Sequence, residues 1–167
     1  MDNRKLTFTA LFVAIGVFAA QLVYIPVGVA KCFPVQSAIN ILLAVLLGTR
    51  SAVNAAFATS LLRNFLGTGS LLAFPGSMIG AALAGVLYKR TNHVLAAAVG
   101  ELVGTGLFGA LAAFPVAKYL IGSKAGAFFF VFPFALSAAG GAVIACLLYY
   151  TPVIGLIRGW LITPKNQ

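Results

Sequence analysis

The sequence predicts an all-α membrane protein, a bundle of six transmembrane helices, on three observations. Hydrophobic residues make up 62% of the 167-residue chain and charged residues only 8%, with a mean hydropathy of +1.07. Soluble domains carry about a quarter charged residues. The apolar residues come in runs of helical length, and a bilayer core takes about 20 residues of helix. The basic residues fall mostly in the breaks between those runs, where the positive-inside bias puts them. A chain of this length forms one bundle with room for roughly five or six crossings.

Each element follows in order. Asp2 to Lys5 is a short basic lead. Leu6 to Ile25 is a first helix of roughly 30 Å; it is too long for a signal-peptide core and has no convincing cleavage site, so it reads as retained. Tyr24 sits at its far end, where aromatic side chains favour the interface. Pro26 to Pro34 reads as a loop, punctuated by two prolines and a glycine. The second helix, Val35 to Leu47, carries Gln36 and Asn40 on one face, four residues apart. Gly48 to Ser51 is a tight turn. The third helix runs from Ala52 to Leu66, and after a glycine-rich turn Pro75, a favoured first-turn residue, opens the fourth, ending at Tyr88. Lys89 to His93 is a basic turn. The fifth helix spans Val94 to about Ala113, and Phe114-Pro115 begins a mixed, partly ordered segment containing Lys118 and Lys124. The sixth helix runs from Ala125 to Tyr150, with Pro133 expected to kink it. Thr151 to Gln167, with Arg158 and Trp160, reads as a tail lying at the interface. The domain division is therefore 1–150 for the membrane bundle and 151–167 for the tail.

Six crossings place both ends on one side. With the N-terminus cytoplasmic, Arg4, Lys5, Arg50, Lys89, Arg90, Arg158 and Lys165 are inside and Lys31, Lys118 and Lys124 outside. Seven against three predicts a multi-pass protein of the cell membrane with both termini cytoplasmic. The second to fourth helices are each shorter than about 20 residues, which leaves room for one to be re-entrant. No repeat long enough for an inverted-repeat transporter is visible.

The net charge of +9 would suggest nucleic acid in a soluble protein; here it marks loops. Two cysteines without a partner pattern and one histidine argue against disulfide, zinc and haem sites. Gly67-Thr-Gly69 lacks the preceding strand and the Lys-Ser/Thr of a phosphate loop. The chain has no serine–histidine–acid set and no carboxylate pair, so an enzyme is not expected.

The stretch Arg63 to Met78 is irregular backbone edged with polar groups inside an apolar chain. Membrane proteins tolerate such backbone where it is buried in protein or lines a wet cavity, and charged residues at membrane depth are functional-site candidates. Arg63 lies roughly 18 Å along the third helix and Glu101 roughly 12 Å along the fifth from the same side. Either the two pair and fix helix register, or one or both bind a ligand; the sequence leaves both open. Asn64, Thr68, Ser70 and Ser77 surround the same turn. Thr105 follows Glu101 by one helical turn, and Gln36 and Asn40 add two amides. Singly, each is more readily interhelical glue, worth about 0.6 kcal/mol. Their common location near the outer half of the bundle, with Phe74, Phe108, Phe129 and Phe132, instead predicts a small-ligand pocket: aromatic walls with a few placed polar groups. Small residues four apart at Ala10/Ala14, Gly16/Ala20, Gly76/Gly80, Gly100/Gly104 and Gly141/Ala145 allow close helix approach, usually within one bundle.

Several blocks resemble the ThiW family: Ala10-Leu-Phe-Val-Ala14, Lys31-Cys-Phe-Pro-Val-Gln36, Ser60-Leu-Leu-Arg-Asn-Phe-Leu-Gly-Thr-Gly69, Phe74-Pro-Gly-Ser-Met78 and Gly100-Glu-Leu-Val-Gly-Thr-Gly106. These proteins are substrate-binding S components of energy-coupling factor (ECF) transporters, associated with uptake of the thiazole precursor of thiamine. The resemblance covers nearly the whole chain to about Tyr150. It implies a six-helix fold that binds a vitamin-like ligand from outside, with no cofactor of its own. A transmembrane coupling subunit and a pair of ATPases hydrolysing ATP are the implied partners, and the S component is thought to topple in the bilayer to release its ligand. Ala10 and Ala14 are the implied docking spot for the coupling subunit. The pocket is implied between the outer ends of helices four to six and the first and third loops. The expected ligand is hydroxyethylthiazole; the alternatives are another vitamin such as thiamine, a solitary ion-coupled carrier using Arg63 and Glu101, or a non-transporting scaffold.

Overall fold

The second helix is the pillar of the bundle. In the computed structural model, which describes residues 3–27 and 30–162, α2 (Pro34–Leu47) buries every residue from Gln36 to Val45. A helix that is apolar all round belongs in the interior, which is why 14 residues suffice here. Around it stand α1 (Asn3–Leu22), α3 (Thr49–Phe65), α4 (Ala73–Thr91), α5 (Val94–Leu120) and α6 (Ala127–Tyr149), followed by a short α7 (Pro152–Ile162). Three of these, α1, α5 and α6, are long and apolar enough to cross a membrane. The protein is an all-helical membrane protein with one small hairpin. Lys165, used in placing the ends, and Asp2 of the basic lead lie outside the described residues.

Several boundaries differ from the sequence expectation. The first loop contains an antiparallel hairpin, β1 (Ile25–Val27) with β2 (Ala30–Cys32), in which Ile25 pairs with Cys32. Its exit is clamped to α6: the Cys32 thiol donates to the Pro133 carbonyl at 3.0 Å, and the Phe33 N–H donates to Ser137 Oγ at 2.9 Å. The fifth helix does not end at Ala113 but continues through Pro115 to Leu120. Away from water a chain that leaves the helix abandons its peptide groups unbonded, so one proline is the smaller cost. Pro133, where the sequence predicts a kink, lies near the start of α6. It sits in the first turn of the α-helical part, after a 3-10 turn over Ala127–Phe130, where its missing N–H sacrifices no helix bond.

Glycines set the distance between α4 and α5. A Cβ on Gly104 would lie 2.7 Å from the Cα of Gly80, and one on Gly109 would lie 2.6 Å from the Cα of Gly76. Both values are below any normal contact, so the two backbones touch. The middle of α5, Gly104–Gly109, is wound as a π-helix, a form that concentrates at functional sites. On α1 the small residues divide between two faces. Gly16 packs onto Thr59 and Ile39, whereas Ala10 and Ala14 are exposed. At the end holding both termini, Arg4 donates to the Trp160 carbonyl at 3.0 Å and lies 4.8 Å from its ring, and Ile154 is buried in the main core. The tail is thus helical over Pro152–Ile162 and packs on α1 there.

Candidate functional site

The end of the bundle away from the termini contains a cavity of about 240 Å³. The hairpin exit supplies Lys31 and Phe33, and α2 supplies Gln36 and Ser37. The α3–α4 turn and the start of α4 contribute Gly69, Ser70, Leu72, Ala73, Gly76 and Ser77. Thr105 comes from the π segment, and Phe134 and Ser137 from α6. The cavity is small beside the roughly 300–1,000 Å³ of drug-sized pockets and suits a single ring. Its walls combine two aromatic rings with hydroxyls, one amide and one ammonium.

The turn that forms one wall is held by the end of α3. The Arg63 carbonyl accepts the N–H groups of Thr68 and Gly69, each at 2.9 Å, and the Thr68 hydroxyl at 3.3 Å. Asn64 Nδ2 donates to the carbonyls of Ser60 (2.7 Å) and Ser70 (3.2 Å). Gly67 has φ +70°, a conformation that only glycine adopts without strain. A Cβ on Gly69 would collide with the α3 backbone at 2.9 Å. Asn64 and Thr68 therefore shape the wall from behind; neither lines the cavity.

Beneath the cavity runs a continuous hydrogen-bonded chain. Arg63 Nη1 donates to Gln36 Oε1. Gln36 Nε2 donates to Ser60 Oγ at 3.2 Å, and Ser60 and Ser77 share a hydrogen bond of 3.1 Å. The Ser77 carbonyl accepts from Asn40 Nδ2 at 3.2 Å, and the same nitrogen donates to Glu101 Oε1 at 3.1 Å. Thr105 Oγ1 lies 2.9 Å from Glu101 Oε1 and 3.1 Å from the Gly76 carbonyl. Arg63 and Glu101 have no solvent exposure, yet among the described residues they form no ion pair. Arg63 instead rests its guanidinium 3.6 Å from the centroid of the Phe33 ring, which stabilises a cation electrostatically. Arg63 Nε and Nη2, Asn40 Oδ1 and Glu101 Oε2 remain without partners.

Of the residues singled out from the sequence, Gln36, Ser70, Ser77 and Thr105 line the cavity, while Asn40, Arg63 and Glu101 lie directly behind the lining. Phe74 packs against Phe57 at 5.7 Å, and Phe129 stacks edge-on to Phe130 at 5.5 Å. Phe108 and Phe132 are 51% and 67% exposed and point outward. Residues two apart on a helix face opposite ways, so the outward Phe132 turns Phe134 inward. Phe108 would share a face with Thr105 on an α-helix, but the wider π turn rotates it away. Sequence reasoning missed Phe33 and Phe134, the two rings that line the cavity, along with Lys31 and Ser137. The only signal for Phe33 was its place in the Lys31-to-Gln36 block.

Comparison with known proteins gives one family match. A family model described as thiamine-precursor transporter protein (ThiW) matches residues 6–151. No curated protein and no solved structure gives a significant match.

Proposed function

The chain belongs to the ThiW family of thiamine-precursor transporters, and from that premise we propose that it is the substrate-capture (S) subunit of an ECF-type importer. It binds hydroxyethylthiazole, or a close relative, from outside the cell membrane. The observation that carries this reading is the cavity of about 240 Å³ at the end of the bundle away from the termini, with Phe33 and Phe134 beside Gln36, Ser77 and Thr105. A flat sulfur heterocycle fits between rings, and its nitrogen and hydroxyl need only one or two hydrogen bonds. The positive-inside bias supports cytoplasmic termini, which puts the mouth outside.

In this reading the chain performs no catalysis. A transmembrane coupling subunit and an ATPase pair drive the cycle, and the S subunit topples to deliver its ligand. The exposed Ala10 and Ala14 suit close approach by another helix, and we assign the coupling subunit to that face. Ligand binding to the purified protein is the test. Saturable, sub-micromolar binding of hydroxyethylthiazole is expected. Tight binding of a different vitamin alone refutes the substrate assignment. Uptake by vesicles holding this protein alone, abolished by collapsing an ion gradient, refutes the S-subunit role.

A further inference from the structure

Around Ser70 and Ser137 the cavity wall favours donation, whereas Ser77 Oγ spends its hydrogen on the Ala73 carbonyl at 2.8 Å. Ser137 Oγ accepts the Phe33 N–H at 2.9 Å, and Ser70 Oγ accepts the Leu72 N–H at 3.2 Å. A hydroxyl carries one hydrogen and two lone pairs. With the backbone using a lone pair in each case, both hydroxyl hydrogens stay free to donate into the cavity these residues line. The Gln36 amide is oriented by Arg63, a group that can only donate, so its oxygen faces the guanidinium. Its nitrogen spends one hydrogen on Ser60 and retains the other. Lys31 also lines the cavity, its ammonium 5.1 Å from the centroid of the Tyr24 ring.

Charge has the same sign bias. Directly behind Gln36, Arg63 is fully buried with Nε and Nη2 unpartnered. No acidic side chain lines the cavity among the described residues. Glu101 lies behind Thr105, away from the mouth, with Oε1 accepting from Asn40 and positioned against the Thr105 hydroxyl, while Oε2 and Asn40 Oδ1 are unpartnered acceptors at that deeper level. Buried donors left without acceptors cost free energy, and a ligand acceptor in the cavity can take the hydrogens that Ser70, Ser137 and Gln36 still hold.

Resting on the reading that this cavity is the ligand site, we propose that its preferred ligand is a small heterocycle bearing an oxyanion, a carboxylate or a phosphate monoester. The oxyanion sits at the mouth among Lys31, Ser70 and Ser137, with Arg63 contributing field from behind Gln36. The ring lies deeper, beside Phe134.

Titration calorimetry on the purified protein tests this with three ligands sharing one ring: neutral hydroxyethylthiazole, its phosphate monoester, and a methylthiazole carboxylate. One oxyanion ligand is expected to bind about tenfold or more tighter than the neutral alcohol, since bonds to a charged acceptor are roughly twice as strong. Which of the two it is identifies the oxyanion. Lys31→Gln and Ser70→Ala are expected to narrow that ratio, with unchanged thermal unfolding showing that the fold is intact. Neutral alcohol binding as tightly as both anions overturns the proposal and leaves the transport reading standing. A ratio untouched by both substitutions overturns the assigned contacts. Binding of none of the three refutes the thiazole assignment and this proposal with it.

Discussion

Arg63 and Glu101, both without solvent exposure, are joined through Gln36, Ser60, Ser77 and Asn40 instead of by a direct ion pair. The chain threads α3, α2, α4 and α5, so it ties four helices together beneath one cavity. Hydrogen bonds in a low-dielectric interior polarise one another, and the loss of one member is felt along the row. The arrangement holds the lining groups Gln36, Ser77 and Thr105 in fixed orientations at the cavity wall.

Arg63 and Gln36 are expected to act as a unit. Arg63→Lys, which keeps the charge but loses the planar fork, and Gln36→Ala should each weaken ligand binding by about tenfold or more. The double variant should be little worse than either single one, a coupling of about 0.5–3 kcal/mol for residues in one network. Calorimetric titration of the four proteins measures it; simple additivity would mean that Arg63 does not act through Gln36.

Thr105 offers a cleaner contrast. Thr105→Ser keeps the hydroxyl facing Glu101 Oε1 and the Gly76 carbonyl, and should bind ligand nearly as the parent does. Thr105→Val preserves shape but removes the one buried hydroxyl hydrogen available to the Gly76 carbonyl and Glu101 Oε1, at about 1–3 kcal/mol. Lower affinity and lower thermal stability are both expected for the valine variant only.

The α4–α5 seam should be intolerant of a single methyl group. A Cβ on Gly80 would lie 2.6 Å from Glu101 Oε2, so Gly80→Ala must push the carboxylate or the helix aside. Overpacking of this kind costs about 1–3 kcal/mol. Gly155→Ala on α7 meets open space and should be neutral or stabilising by up to about 1 kcal/mol. Thermal unfolding in detergent separates the two, with the first falling and the second unchanged or rising.

On α1 the two pairs of small residues should behave differently. Ala10→Trp and Ala14→Trp alter exposed positions, so ligand binding should persist while assembly with the proposed coupling subunit is lost on co-purification. Gly16→Leu drives a side chain toward Thr59 and Ile39 and should reduce stability of the isolated subunit. Loss of ligand binding in the Ala10 and Ala14 variants would place that face inside the bundle's own packing.

By itself the sequence determined that this is an all-helical membrane protein of the ThiW family, because hydropathy and motif blocks are properties of segments and survive without coordinates. It placed the start of α2 at Val35, one residue past the observed Pro34, and marked the polar turn after Arg63. Only the tertiary structure decided that Arg63 meets Gln36 and Phe33, that Phe134 faces the cavity while Phe132 and Phe108 do not, and that α5 runs on through Pro115. The reason is that composition measures the preference of a stretch for lipid over water, whereas a side chain's partner depends on helix rotation and separation. Here those are set by Gly76, Gly80, Gly104 and Gly109 closing the α4–α5 gap and by one π turn shifting the register between Thr105 and Phe108.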